Sequence, residues 1–205
     1  KHLPLAQLRV AIPDKRQLSA DYEAAFAQFA DRLQPQVATL QTLAFDTLFE
    51  VAKLLYYGPW VAERVVGARS MYEQQPEALL PVIRQVLDVH QRFNAADTFA
   101  AQYQLQALQQ EAEKIWQTCD VLCVPTAPRH PSMADVQAEP VAANSELGTY
   151  TNFVNLLDYA ALSVPSSFRP DGLPFGITLI GPCGSDWQLA ELGQRGLPGV
   201  QQCRQ

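Results

Sequence analysis

Leu8-Arg9-Val10-Ala11-Ile12-Pro13 is a compact apolar run closed by proline, and Ser19-Ala20-Asp21-Tyr22-Glu23 just beyond it opens a segment of helical apolar period that lasts to Leu33. This reads as a strand followed by a helix, with Ser19 at the N-cap. The same order returns at once. Residues 37–45 form a second apolar run, and Asp46 can cap a helix whose positions Leu48, Val51, Leu54 and Leu55 follow the three-four spacing. Two strand-helix units in succession imply helices packed on a sheet, an α/β architecture.

The rest of the chain extends that pattern. Gly58-Pro59 interrupts the second helix, because glycine suits the residue just past a helix end and proline the first turn of a new one. Residues 60–72, 77–90 and 95–116 read as further helices, and Asp120-Val121-Leu122-Cys123-Val124 is a strand stopped by Pro125. The proline-bearing stretch 126–147 lacks clear periodicity, and loops of that length in a compact domain are often functional. A helix over 152–159 follows, then strands at 162–164 and 176–180 separated by the turn residues Arg169-Pro170-Asp171-Gly172. Gly184-Ser185-Asp186 can cap a last short helix. No repeat or low-complexity linker divides the sequence, so residues 1–205 are expected to form a single domain.

Composition narrows the function. Fifteen Lys and Arg against 21 Asp and Glu leave a formal charge of -6, which offers no basic surface for phosphates, and nucleic acid is not an expected partner. With 48% apolar and 18% charged residues the chain can bury a core and is not disordered by composition. No apolar stretch is long enough to span a bilayer and the first residues lack a signal-peptide h-region, so a soluble, cytoplasmic protein without membrane contact is expected.

The cysteines Cys119, Cys123, Cys183 and Cys203 are read as buried free thiols, and His2, His90 and His130 stand at no metal-ligand spacing, so no metal site is expected. Ser166-Ser167 is the only Ser-Ser pair, without a Gly-x-Ser-x-Gly elbow around it, and a turn after a buried strand accounts for it. No phosphate-cradling glycine pattern occurs.

The stretch Leu54-Leu55-Tyr56-Tyr57-Gly58-Pro59-Trp60-Val61-Ala62-Glu63-Arg64 is more informative. A helix break lets flanking side chains point into a cleft instead of along one continuous face. An arginine fork matches a carboxylate with two hydrogen bonds and a tyrosine hydroxyl can add a third, which would suit a small anionic substrate. The same residues admit a second reading, in which Tyr56 and Trp60 pack in the core and Arg64 pairs with Glu63 or with an acid from elsewhere.

That stretch, with Gly148-Thr149-Tyr150-Thr151-Asn152-Phe153-Val154-Asn155-Leu156-Leu157-Asp158 and Asp171-Gly172-Leu173-Pro174-Phe175-Gly176-Ile177-Thr178-Leu179-Ile180-Gly181-Pro182, resembles the allophanate hydrolases of the amidase signature family. Val124-Pro125-Thr126-Ala127-Pro128 and Ala143-Asn144-Ser145-Glu146-Leu147 are similar to the same family, so the resemblance runs over residues 8–195. It implies a mixed sheet with flanking helices and hydrolysis of allophanate (urea-1-carboxylate) in urea degradation, without metal or organic cofactor. It also implies a small anionic amide as ligand and a possible homodimer.

By the resemblance, Tyr56 and Arg64 match the positions that contact the substrate's carboxylate end. The family's serine–serine–lysine triad has no counterpart here. There is no Gly-Gly-Ser-Ser-Gly stretch, and Lys1, Lys15, Lys53 and Lys114 match no catalytic-lysine context. Ser166-Ser167 falls where the family carries a small residue and glycine, and is a departure at a turn. The chain is therefore expected to be the C-terminal part of an amidase domain, lacking the Ser/Lys-bearing part and catalytically incomplete alone. The alternative is a non-catalytic remnant that binds a small carboxylate ligand or a protein partner. Thr126 and Asn152 match other characteristic positions, with no role assigned.

Overall fold

A computed structural model of the chain describes residues 4–194. The expected alternation is present. Strand β1 (Arg9–Pro13) leads into helix α1 (Ala20–Leu33), then β2 (Thr39–Leu43) and α2 (Asp46–Tyr57). A helical stretch follows, with α3 (Val61–Gln74), α4 (Pro81–Asp88) and α5 (Ala95–Ala112). The chain then re-enters the sheet as β3 (Val121–Pro125), leaves it for α6 (Met133–Ala138), α7 (Pro140–Leu147) and α8 (Phe153–Leu156), and ends with β4 (Ala160–Phe168), β5 (Pro174–Gly181) and α9 (Asp186–Gln194).

The sheet has five strands in the order β2-β1-β3-β5-β4. It is mixed: β1 is parallel to β2 and to β3, whereas β5 runs antiparallel to β3 and to β4. Every residue of β3 is buried, as a strand covered on both faces requires. Strand periodicity divides its side chains between two cores. Val121 and Cys123 join Val10, Ile12, Ile177 and Leu179 under α1 and α9, against Phe26, Phe29 and Leu189. Leu122 and Val124 join Ala11 and Ile180 on the other face, under Leu48 and Val51 of α2 and Phe153 of α8. The sheet is the middle of three layers.

One contact clasps the start of the sheet. The Arg9 guanidinium bonds the Asp120 carboxylate at 2.7 Å, and the Arg9 backbone N–H donates to the same carboxylate at 2.9 Å. The hydrogen bonds from Arg9 hold the Asp120 carboxyl below its usual range.

The structure differs from the sequence expectations in several places. Ser19 stands at the N-cap of α1, but its hydroxyl donates to Asp21 at 2.6 Å instead of capping a backbone N–H. Asp46 is the first residue of α2, with Phe45 at the N-cap. The stretch 126–147 is not a loop throughout, since it contains α6 and α7. A capping box between Ser132 and Asp135 starts α6, and Pro140 occupies the first turn of α7. The helix expected over 152–159 shrinks to α8, four residues long. Ser166 and Ser167 lie inside β4, not at a turn after it, beside a register shift between Pro165 and Ser167. Ser185 donates its hydroxyl to the Pro182 carbonyl at 2.7 Å.

Cys119 and Cys123 are buried free thiols as expected, whereas Cys183 is exposed and Cys203 lies outside the described residues. Burial pushes the Cys119 thiol up to about 12 and raises that of Cys123 as well. At pH 8, Ellman's reagent should therefore react with Cys183 and leave Cys119 and Cys123 unmodified until denaturant is added. Peptide mass spectrometry reads this directly, and labelling of Cys123 as fast as Cys183 would mean that the central strand is not packed as described.

Candidate functional site

The site begins at the helix break. Helix α2 stops after Tyr57, where the Gly58 N–H donates to the Leu54 carbonyl at 3.1 Å. A β-carbon on Gly58 would come within 2.5 Å of that same carbonyl oxygen, so the close turn requires glycine. Pro59 and Trp60 then begin a new turn: the Ala62 N–H bonds the Pro59 carbonyl and the Glu63 N–H the Trp60 carbonyl, at 2.9 and 3.1 Å. Tyr56 thus lies in the last turn of α2 and Arg64 in the first turn of α3, and the break folds one back against the other.

The Arg64 guanidinium carbon lies 5.2 Å from the centroid of the Tyr56 ring, within cation–π range. Among the described residues no carboxylate pairs with Arg64, so the reading in which Glu63 or another acid neutralises it does not hold for them. Nor is either ring of the second reading a core residue, since Tyr56 and Trp60 are half-buried and belong to neither hydrophobic core.

Two cavities meet at Tyr56. One, of about 600 Å³, is walled by Arg64, by α4 through Val82 and Val86, and by α7 through Val141, Asn144 and Ser145. The other, of about 540 Å³, reaches Asn152, Glu146, Lys53 and Asp46. Tyr56, Tyr57 and Ser145 line both. Asn152 is set by its own turn: its N–H donates to the Gly148 carbonyl at 2.8 Å, and any side chain on Gly148 would overlap the Asn152 carboxamide. The segment 54–64 and the contiguous stretch 143–158, far apart in sequence, therefore meet in one region.

Thr126 belongs elsewhere. Its hydroxyl shares hydrogen bonds with Thr178 at 3.0 Å and Ser163 at 3.1 Å, over Gly176, beside a separate hollow of about 320 Å³ that contains neither Tyr56 nor Arg64. The hydroxyl ladder ties β3 to β5 and β4. Ser166 is buried and its hydroxyl has no hydrogen-bond partner, so no base reaches it and it lacks the activation that a nucleophile needs. At the hairpin between β4 and β5, Arg169 is buried under two carboxylates, Asp21 and Asp171, and over the Tyr22 ring at 4.6 Å. That cation is neutralised by its two carboxylates, unlike Arg64, although its Nε has no hydrogen-bond partner.

Among the described residues no three His, Cys, Asp or Glu side chains converge as metal ligands would, and no helix is long and apolar enough to cross a membrane. Sequence reading missed Arg92, which follows α4 and lines the 600 Å³ cavity together with Arg64. No motif surrounds it; only the packing of α4 beside α3 brings it there.

The family model described as Amidase matches residues 2–190. The urea amidolyases of Lachancea kluyveri and Saccharomyces cerevisiae are each 42% identical to this chain over 172 residues, which is 83% of the chain and 9% of either relative. The solved allophanate hydrolase of Kluyveromyces lactis superposes with a TM-score of 0.87 at 38% identity, covering 94% of this chain and 33% of that one. The chain thus spans about a tenth of the urea amidolyases and a third of the solved hydrolase that it matches.

Proposed function

The chain belongs to the amidase family, and on that premise we propose that it is part of an amidohydrolase acting on allophanate in urea degradation, to which it supplies the side that holds the substrate's carboxylate. The observation that carries this reading is the meeting of Arg64 and Tyr56 at the Gly58-Pro59 break, with the guanidinium over the ring at 5.2 Å from its centroid and no carboxylate among the described residues to neutralise it. The likeness to a urea amidolyase and to an allophanate hydrolase supports the choice of substrate.

Chemically, the Tyr56 ring supports the guanidinium by a cation–π contact, and Arg64 lines the cavity with its N–H donors unclaimed by any carboxylate of the described residues. A fork of two parallel hydrogen bonds then orients the substrate as well as binding it. With its acid end held, the amide end of allophanate is presented at a fixed distance to the attacking group, and such positioning lowers the barrier before any bond changes. The attacking group is a serine activated through a second serine and a lysine, which the motifs of this chain do not supply. A carboxylate anchor without that nucleophile binds but does not cleave.

The test is ammonia release from allophanate by the purified chain, alone and mixed with a separately expressed N-terminal amidase segment of the Kluyveromyces lactis relative. No ammonia is expected from the chain alone, and release is expected on mixing. Release by the chain alone would overturn the assignment of the chemistry to another segment and would direct attention to Ser166 and Ser167.

A further inference from the structure

The 600 Å³ cavity is larger than its proposed substrate needs. Pockets of about 300 to 1,000 Å³ enclose ligands of drug size, whereas allophanate is a few atoms long and polar throughout. Its walls are also of the wrong kind for so polar an ion, since Val61, Val82, Ile83, Val86, Val89 and Phe93 give an aliphatic and aromatic surface along α3, α4 and the turn after it. Its charge is one-sided. The lining holds two guanidinium groups, Arg64 and Arg92, and no Asp or Glu, in a chain whose formal charge is -6. Neither arginine is paired with a carboxylate among the described residues. The neighbouring 540 Å³ cavity, by contrast, contains Asp46, Glu50 and Glu146 against Lys53 alone.

Two unneutralised cations joined by apolar wall form the complement of an anion at each end of an aliphatic body. We infer that Arg92 is a second anion-recognising residue of this cavity, and that the cavity takes α,ω-dicarboxylates, Arg64 holding one acid group and Arg92 the other. This rests on the proposed use of the cavity as a carboxylate site and extends its ligand class beyond allophanate. Arg64, half-buried and in cation–π contact with Tyr56, is the fixed anchor, and Arg92, exposed at the turn after α4, is the outer one. The outer residue therefore contributes mainly through charge, and a lysine can replace it, whereas the inner fork cannot be so replaced.

The experiment is calorimetric titration of the full chain with adipate and with adipic acid monoamide, which has the same length and shape but one charge fewer. Adipate is expected to bind about five-fold tighter, the upper range for a single solvent-accessible ion pair. In Arg92→Gln the two ligands should bind equally, in Arg92→Lys the preference should return, and in Arg64→Ala both should weaken together. Because the result is a ratio of two ligands on one variant, a general loss of folding cannot imitate it. Equal affinity of the two ligands for the unaltered chain, undetectable binding of both, or a preference unchanged in Arg92→Gln would each overturn the assignment. Affinities for both ligands that are unchanged in Arg64→Ala would instead remove the anchoring role of Arg64 while leaving that of Arg92.

Discussion

Arg64→Ala lowers the affinity of the chain for allophanate by about 10- to 100-fold and leaves its affinity for biuret unchanged. The magnitude follows from the worth of hydrogen bonds to a charged group, roughly 1.5–3 kcal/mol, at about 1.4 kcal/mol per tenfold. The contrast follows from chemistry, since biuret carries an amide where allophanate carries its carboxylate. Isothermal titration of both ligands with the native and substituted chains measures it. Arg64→Lys should recover only part of the loss, because an ammonium offers a charge but not the planar fork. Tyr56→Phe keeps the ring that supports the guanidinium at 5.2 Å and should cost less than Tyr56→Leu, which removes that support. An equal loss of allophanate and biuret in Arg64→Ala would show that the residue shapes the cavity without reading charge.

Gly58→Ala should destabilise the chain by about 1–3 kcal/mol, the usual range for forcing an extra carbon into packed structure. The new β-carbon would lie 2.5 Å from the Leu54 carbonyl oxygen, a backbone atom that moves only if the end of α2 moves with it. Since Tyr56 is on that last turn, allophanate binding should fall together with stability. Gly67 provides the control. It lies in the interior of α3, where an added β-carbon meets nothing within 4 Å. Gly67→Ala should thus stabilise by roughly 0.5–1 kcal/mol through helix propensity and leave binding untouched. One substitution with opposite signs at two sites nine positions apart is read from urea denaturation midpoints. Destabilisation at both would mean that backbone entropy and crowding are not what separates them.

These positions also show how far residue order alone carries. β3 was legible because it is covered on both faces, and a strand in that situation must be apolar without interruption. β4 is longer than its residue pattern suggests. Pro165 and the serines at 163, 166 and 167 look like the end of a strand, yet β4 is the outermost strand of the described sheet, where a missing N–H costs no ladder bond and one face meets solvent. α6 and α7 were hidden by the opposite error. Pro131 and Pro140 suggested a loop, although proline in a first turn begins a helix, and the Ser132–Asp135 box was present to say so.

The meeting of Tyr56 and Arg64 was legible because glycine and proline announce a break and the two residues flank it. Arg92 was not, because its position depends on how α3 and α4 pack, and no local rule encodes the angle between two helices. The same applies to Asn152, whose motif was visible but whose placement beside Tyr56 depends on the turn that Gly148 permits.

The central strand has one further consequence, for the order in which the sheet assembles. β4 and β5 are joined by a tight turn through Gly172, with φ of 81°, and can pair within the roughly 1–10 μs of a hairpin. β1 and β3 have no such shortcut. The bonds that clasp them, from Arg9 to Asp120, join residues 111 positions apart, and closing that span slows folding in proportion to the chain entropy it removes. β3 is antiparallel to the quick partner and parallel to the slow one. In a refolding experiment with pulsed hydrogen exchange, the amides of Leu162 and Leu179 should become protected before those of Val10 and Ala11, so that the fold grows from the hairpin inward and its first strand is among the last to be fixed.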